Sequence, residues 1–224
     1  MSSLVLLHGL GANGRVWDAW PQPRFAPDLP GHGSAAALPA YTFASMAAAI
    51  AETLPVRRDV VIVGHSLGGV IALELASGRY GIEVNRVVAL SVKVTWSQDD
   101  LGRAAALARK PIAWFDTRED AAARFLKVSG LQGLADPCDP VVEHGLAEAD
   151  GRWRLAMDPG TFGVGAPDMP DLIAESKAEV VLARGERDPM NTDDELRTLH
   201  DQVVTYPGLG HNAHVEDPGL LSTR

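Results

Sequence analysis

A chain of 224 residues, 46% hydrophobic and 22% charged, has the composition of one globular domain or of a core with a small insertion, which excludes a disordered chain or a coiled coil. Its net charge of −9, with no basic run, argues against a nucleic-acid partner. The lone Cys138 excludes an internal disulfide and any multi-cysteine zinc or iron–sulfur site.

In chain order, the first element is Leu4–His8, a short apolar run stopped by Gly9. Met1–Gly9 has no positive region and only a four-residue apolar run, short of the apolar core expected of a signal peptide. No run approaches the ~20 apolar residues that span a bilayer, so a cytoplasmic protein without membrane contact is expected. Phe25–Asp28 reads as a weak strand, and Ala44–Leu54 as an Ala-rich helix stopped by Pro55. Asp59–Gly64 is the strongest strand, a continuous β-branched run, and a helix over Gly69–Ser77 follows at once. Arg86–Ser91, Glu179–Ala183 and Gln202–Tyr206 are further strands. Strands that are apolar throughout are covered on both faces, and strands interleaved with helices imply a parallel sheet of right-handed crossovers. Residues 96–175 break this rhythm. Asp99–Lys110 and Arg118–Val128 read as helices, and a stretch rich in Gly and Pro with no strong buried strand follows.

The strongest chemical signal is Gly64-His65-Ser66-Leu67-Gly68, placed between a strand and a helix. That context fits a nucleophile elbow. A serine at a sharp strand-to-helix turn stands clear of the sheet, and small flanking residues let strand and helix approach. The helix N-terminus adds a positive field where negative charge develops. A serine hydroxyl needs a base, and the base an orienting acid. Asp188 follows the strand Glu179–Ala183, and His211 follows the last strand, so both sit past carboxyl ends, where parallel sheets place their ligand sites. Asp193 and Asp194 compete with Asp188 but suit the start of a helix Asp193–Leu199, and His214 competes with His211. His211 and His214 suggest a metal pair, but no third ligand is evident. No cofactor or metal is expected.

These segments, with His8-Gly9-Leu10-Gly11 and Asp28-Leu29-Pro30-Gly31-His32-Gly33-Ser34, make the chain resemble the α/β-hydrolase fold superfamily from its first strand to its last. The resemblance implies Ser66 as nucleophile, Asp188 as acid and His211 as base. It implies an oxyanion hole from the backbone N–H groups of Leu67 and Leu10. His8 reads as a buried histidine that ties loops together, and His32 and His65 as structural or pocket-lining.

The expected fold is α/β, a mostly parallel sheet of about six strands flanked by helices, without the strand hairpin that precedes the His-Gly motif in similar proteins. The core spans 1–95 and 174–224, and 96–173 forms a helical lid over Ser66. Bare sheet edges would favour a homodimer or low stability. Trp96, Met190, Trp114 and Phe125 are the pocket candidates. The expected reaction is hydrolysis of a small, neutral or weakly polar carboxylic ester through an acyl-enzyme, with a small-molecule acyl substrate and water as partners. The same triad serves lactones, thioesters and carbon–carbon bonds, and related proteins also serve as non-catalytic ligand receptors. Serine at the elbow argues against haloalkane dehalogenases and epoxide hydrolases, which carry Asp there.

Overall fold

The computed structural model describes residues 3–21 and 24–219. Strand β1 (Ser3–Leu7) opens the chain. The Gly9–Gly11 turn and a short 3-10 helix over Gly14–Trp17 follow, with the Asn13 side chain capping the Arg15 N–H. Helix α1 (Phe43–Thr53) starts at a reciprocal capping box between Thr42 and Ser45. Then come β2 (Val60–His65), α2 (Leu67–Ala76) and β3 (Val84–Leu90).

The irregular middle holds α3 (Gln98–Ala108), α4 (Arg118–Ser129), α5 (Pro140–His144), the hairpin β4 (Leu146–Ala149) and β5 (Arg152–Leu155), a 3-10 helix at Pro159–Val164 and α6 (Met169–Glu175). The core resumes with β6 (Glu179–Gly185), α7 (Asp193–Arg197), β7 (Val203–Tyr206) and α8 (Ala213–Glu216).

The central sheet has five strands in the order β1-β2-β3-β6-β7, and every ladder is parallel. The expectation of about six strands is corrected here. Phe25–Asp28 is not a strand. It touches β1 through one bridge, Val5 to Phe25. Pro27 has no N–H for a ladder. Asp28 then turns the chain by accepting the N–H groups of Gly14 (2.9 Å) and Ser34 (2.8 Å). His144 of α5 approaches the same carboxylate at 2.7 Å. Burial raises the Asp28 pKa, but these hydrogen bonds outweigh it and hold the carboxyl at about 2.

Alternate residues of each strand face opposite layers. Val5 and Leu7 join a cluster with α1, α2, Met169 and Leu172 of α6, and Leu196 of α7. Leu6 and Val63 face a second cluster of Trp17, Trp20, Phe125, Leu126 and Val142. The middle segment thus leans on the sheet through α4 and α5, while α6 belongs to the main core. Beyond α3 and α4, none of these elements was expected there, and the hairpin and α6 show why. The β4–β5 hairpin turns on Asp150 and Gly151, both at positive φ (52° and 72°), as a two-residue hairpin turn requires. Helix α6 begins at the Asp168 cap with a proline in its first turn, where proline is tolerated. No helix of the described residues is long and apolar enough to cross a membrane.

Candidate active site

Strand β2 runs into α2 through Ser66, which adopts φ 50° and ψ −116°. This positive φ is strained for a residue with a Cβ. The surroundings enforce it. The Ser66 N–H donates to Leu90 O (2.8 Å), and the Gly69 N–H donates to Ser66 O (2.9 Å). Strand and helix pass so closely that a Cβ on Gly64 would run into the Gly68 carbonyl. A Cβ on Gly68 would run into the Leu7 carbonyl.

The carboxyl ends of β6 and β7 carry the next pieces, and their loops are zipped together. The Glu186 N–H donates to Tyr206 O (2.9 Å), and the Arg187 N–H to Leu209 O (2.8 Å). Asp188 is 3% exposed and held from behind, because buried Arg184 donates to its carbonyl at 3.0 Å. Its Oδ1 accepts the Met190 N–H (3.0 Å) and the His211 Nδ1–H (3.1 Å). Burial raises the Asp188 pKa, but the hydrogen bond and charge of His211 and the Met190 N–H lower it more, so the carboxyl stays ionised. Nδ1–H donation to Asp188 leaves His211 Nε2 as the ring's free acceptor. No hydrogen bond joins His211 to Ser66 among the described residues, and such bonds are often long before substrate arrives.

The rivals sit elsewhere. Asp193 accepts from Arg184 (2.7 Å) and Thr205 (2.8 Å). His214 is buried in a ring stack, 4.2 Å from His65 and 4.4 Å from Trp17. Burial, then the nearby His211 and His8, lower its pKa to about 3.

Two further histidines fix the turn after β1. His8 Nε2 accepts the Leu29 N–H (2.8 Å), and His32 Nε2 accepts the Gly11 N–H (3.1 Å). Burial is the main cause that lowers them to about 4 and about 3, so both are neutral acceptors. The Ala12 N–H is taken by Gly9 O. The N–H groups of Leu10 and Leu67 have no partner among the described residues.

Leu10, Ser66 and Leu67 line one hollow of about 70 Å³ with Val92, Trp96 and Val164. Of the expected pocket residues, Trp96 is there. The other three are corrected. Phe125 is 2% exposed and faces the second core cluster, against Gly145. Trp114 is 37% exposed beneath Arg154, 5.9 Å from its ring centre. Met190 turns its side chain to solvent and offers only its N–H to Asp188. Sequence reasoning missed Lys93, which lines the hollow and lies 4.9 Å from the Trp96 ring. It also missed Asn191, whose side chain clamps Val92 O (2.6 Å) and the Val94 N–H (3.0 Å). No group of three or more metal-binding side chains occurs among the described residues.

A strained serine at the strand–helix turn and a buried Asp paired with a part-buried His at neighbouring strand ends are the frame of one fold family. A family described as "Alpha/beta hydrolase family" matches residues 4–223. The chain belongs to the alpha/beta hydrolase family. Among its curated relatives, a pimeloyl-[acyl-carrier protein] methyl ester esterase of Aromatoleum aromaticum is 34% identical over a 243-residue alignment covering 97% of this chain and 95% of that protein. Lipase LipV of Mycobacterium tuberculosis is 32% identical over 168 residues, 69% of this alpha/beta hydrolase but only 62% of the lipase. A structure of E-2-(acetamidomethylene)succinate hydrolase shares the fold at TM-score 0.80 and 21% identity, over 99% of this chain and 89% of that one.

Proposed function

We propose that this alpha/beta hydrolase is a serine esterase acting on a small carboxylic ester, with Ser66, His211 and Asp188 as its triad. Ser66 Oγ attacks the ester carbonyl while His211 Nε2 takes its proton. Asp188 holds the imidazole in the Nδ1–H tautomer and stabilises the imidazolium that forms. The oxyanion is received by the Leu10 and Leu67 N–H groups, the second at the positive end of α2. His211 returns the proton to the leaving alcohol, and water activated by the same ring then releases the acid. Residues 96–173 act as the lid, with Trp96 on the pocket wall.

One observation carries the reading: Ser66, a non-glycine residue, is held at φ 50° beside two unpartnered N–H groups, while a buried carboxylate fixes His211 on the adjoining loop. Strain of this kind costs about 1–3 kcal/mol and persists where it serves a site. The esterase relatives support the bond type. The test is intact-mass labelling with a fluorophosphonate, paired with turnover of short p-nitrophenyl esters. Both are expected in wild type and absent in Ser66→Ala. A wild type that neither labels nor turns over would remove the serine mechanism.

A further inference from the structure

We infer that a second hollow, walled by α3, α4, β5 and the Pro159–Val164 3-10 helix, binds the far end of the substrate, and that this end is an alkyl chain tipped by an anion. The hollow offers about 100 Å³. One water needs only ~10–15 Å³, so a short chain fits. Its walls are apolar and include Leu107 of α3, Val128 of α4, Met157 and Phe162. Ile112 stands 44% exposed at its mouth.

Its charged lining side chains are Lys110 and Arg124, both cationic and both exposed. Neither side chain has an ion pair or hydrogen bond among the described residues. Arg103 pairs with Asp100, Arg152 with Asp116, and Arg154 covers Trp114, whereas Arg109 at the end of α3 and Lys127 of α4 also lack a side-chain partner among the described residues but do not line the hollow. Two unpaired like charges beside an apolar hollow, in a chain of net charge −9, select an anionic group joined to an apolar one. A wholly neutral ester would use neither cation.

Position ties this hollow to the one at Ser66. Val128 packs on Gly11, where an added Cβ would lie 2.6 Å from Val128 Cγ1. Met157 bridges to His32, which holds the Gly11 N–H. The adjacent Leu10 lines the Ser66 hollow. Phe162 walls the second hollow and Val164, two residues on, walls the first. One short 3-10 helix therefore contributes a wall residue to each hollow. The ligand's orientation toward Ser66 rests on the proposed nucleophile, whereas its binding does not.

The experiment has two arms. In Ser66→Ala, calorimetry with octanoate and with octyltrimethylammonium is expected to favour the carboxylate at least ~10-fold. Adding Lys110→Gln and Arg124→Gln should weaken octanoate about 10-fold, and Ala113→Trp, which fills the mouth, should abolish its binding. Thermal melts check that each variant is folded. In the catalytic chain, the p-nitrophenyl half-ester of suberic acid is compared with p-nitrophenyl octanoate. The kcat/KM ratio should favour the half-ester and fall about 10-fold in the double variant. The site is overturned if octanoate binds no better than the cation, or if folded variants bind octanoate unchanged. Its link to the substrate is overturned if the ratio ignores the double substitution. Charge-selective octanoate binding in a protein that turns over no ester would uphold the site and remove the proposed esterase activity instead.

Discussion

His65 donates its Nε2–H to the main-chain carbonyl of His211 at 2.9 Å. The side chain before the proposed nucleophile thus grips the backbone of the proposed base. A carbonyl only accepts, so the proton is on Nε2. Burial first, then the neighbouring His214 and His211, press the His65 pKa well below its ordinary value, so the ring stays neutral. His65→Leu removes the bond and lets the His211 loop shift. A misplacement of about 1 Å costs on the order of 10²-fold in rate, so kcat on p-nitrophenyl butyrate should fall by about that factor, with KM little changed. His65→Gln keeps an N–H donor and should recover part of the loss. If both variants melt like wild type and turn over equally well, the hydrogen bond does not position His211.

Asp188→Asn tests the acid. Its Oδ1 accepts from His211 and from Met190, and its side chain is fully buried. Asparagine fills the same space but can turn an N–H toward the imidazole and impose the wrong tautomer. The expected loss in kcat is on the order of 10³–10⁴, the scale of such a change in a serine triad. Asp193→Asn is the control. It breaks pairs with Arg184 and Thr205 away from His211 and should change kcat less than tenfold. Steady-state kinetics on both decide it, and the reverse ranking would move the acid to Asp193.

Glycine substitutions separate crowding at the elbow from ordinary helix propensity. At Gly64 an added methyl would meet the backbone of Gly68, which has no rotamer to give way. Gly64→Ala should cost about 2–3 kcal/mol or more, the upper range for overpacking. Gly102 lies within α3 with open space around its Cβ position. Gly102→Ala should stabilise by about 0.5–1 kcal/mol through lower chain entropy in the unfolded state. Urea midpoints read both, and a Gly64→Ala protein as stable as wild type would mean that strand and helix can separate at the turn.

The sheet was legible because continuous β-branched runs such as Val60–Val63 leave few alternatives, and the elbow was legible because its glycines are placed by steric need. The Asp150-Gly151 pair was a readable hairpin signal, but its strands are half exposed and lack the apolar run of a core strand. Helix α6 was hidden by Pro170, which breaks a helix in its interior but not in its first turn. The pocket was the least legible part. Apolar spacing says that Phe125 is buried, which it is, but not whether it faces the sheet or the substrate. Lys93 reached the Ser66 hollow through an ion pair with Asp100 and contact with Trp96, neither of which spacing reveals.

Buried neutral histidines should make this fold sensitive to acid well before its carboxylates titrate. His8, His32 and His214 titrate at about 4, 3 and 3 when folded, chiefly because burial disfavours the imidazolium. In the unfolded chain they return to about 6.5. Between these values the unfolded chain holds more protons, so stability rises with pH there. The contribution is complete above about pH 7, declines as pH falls through 6.5 and keeps declining to about 4. Each ring adds up to about 1.4 kcal/mol per pH unit over that window. Protonating His8 or His32 would also remove the acceptor for the Leu29 or Gly11 N–H and loosen the turn that carries Leu10. Unfolding free energies from urea titrations at pH 7, 6 and 5 should therefore fall by several kcal/mol in all. His32→Gln keeps an acceptor for the Gly11 N–H but cannot titrate, so it should flatten the slope by about one ring's share. A wild-type stability that is level from pH 7 to 5 would mean that the rings accept protons inside the fold, and that burial does not hold them neutral.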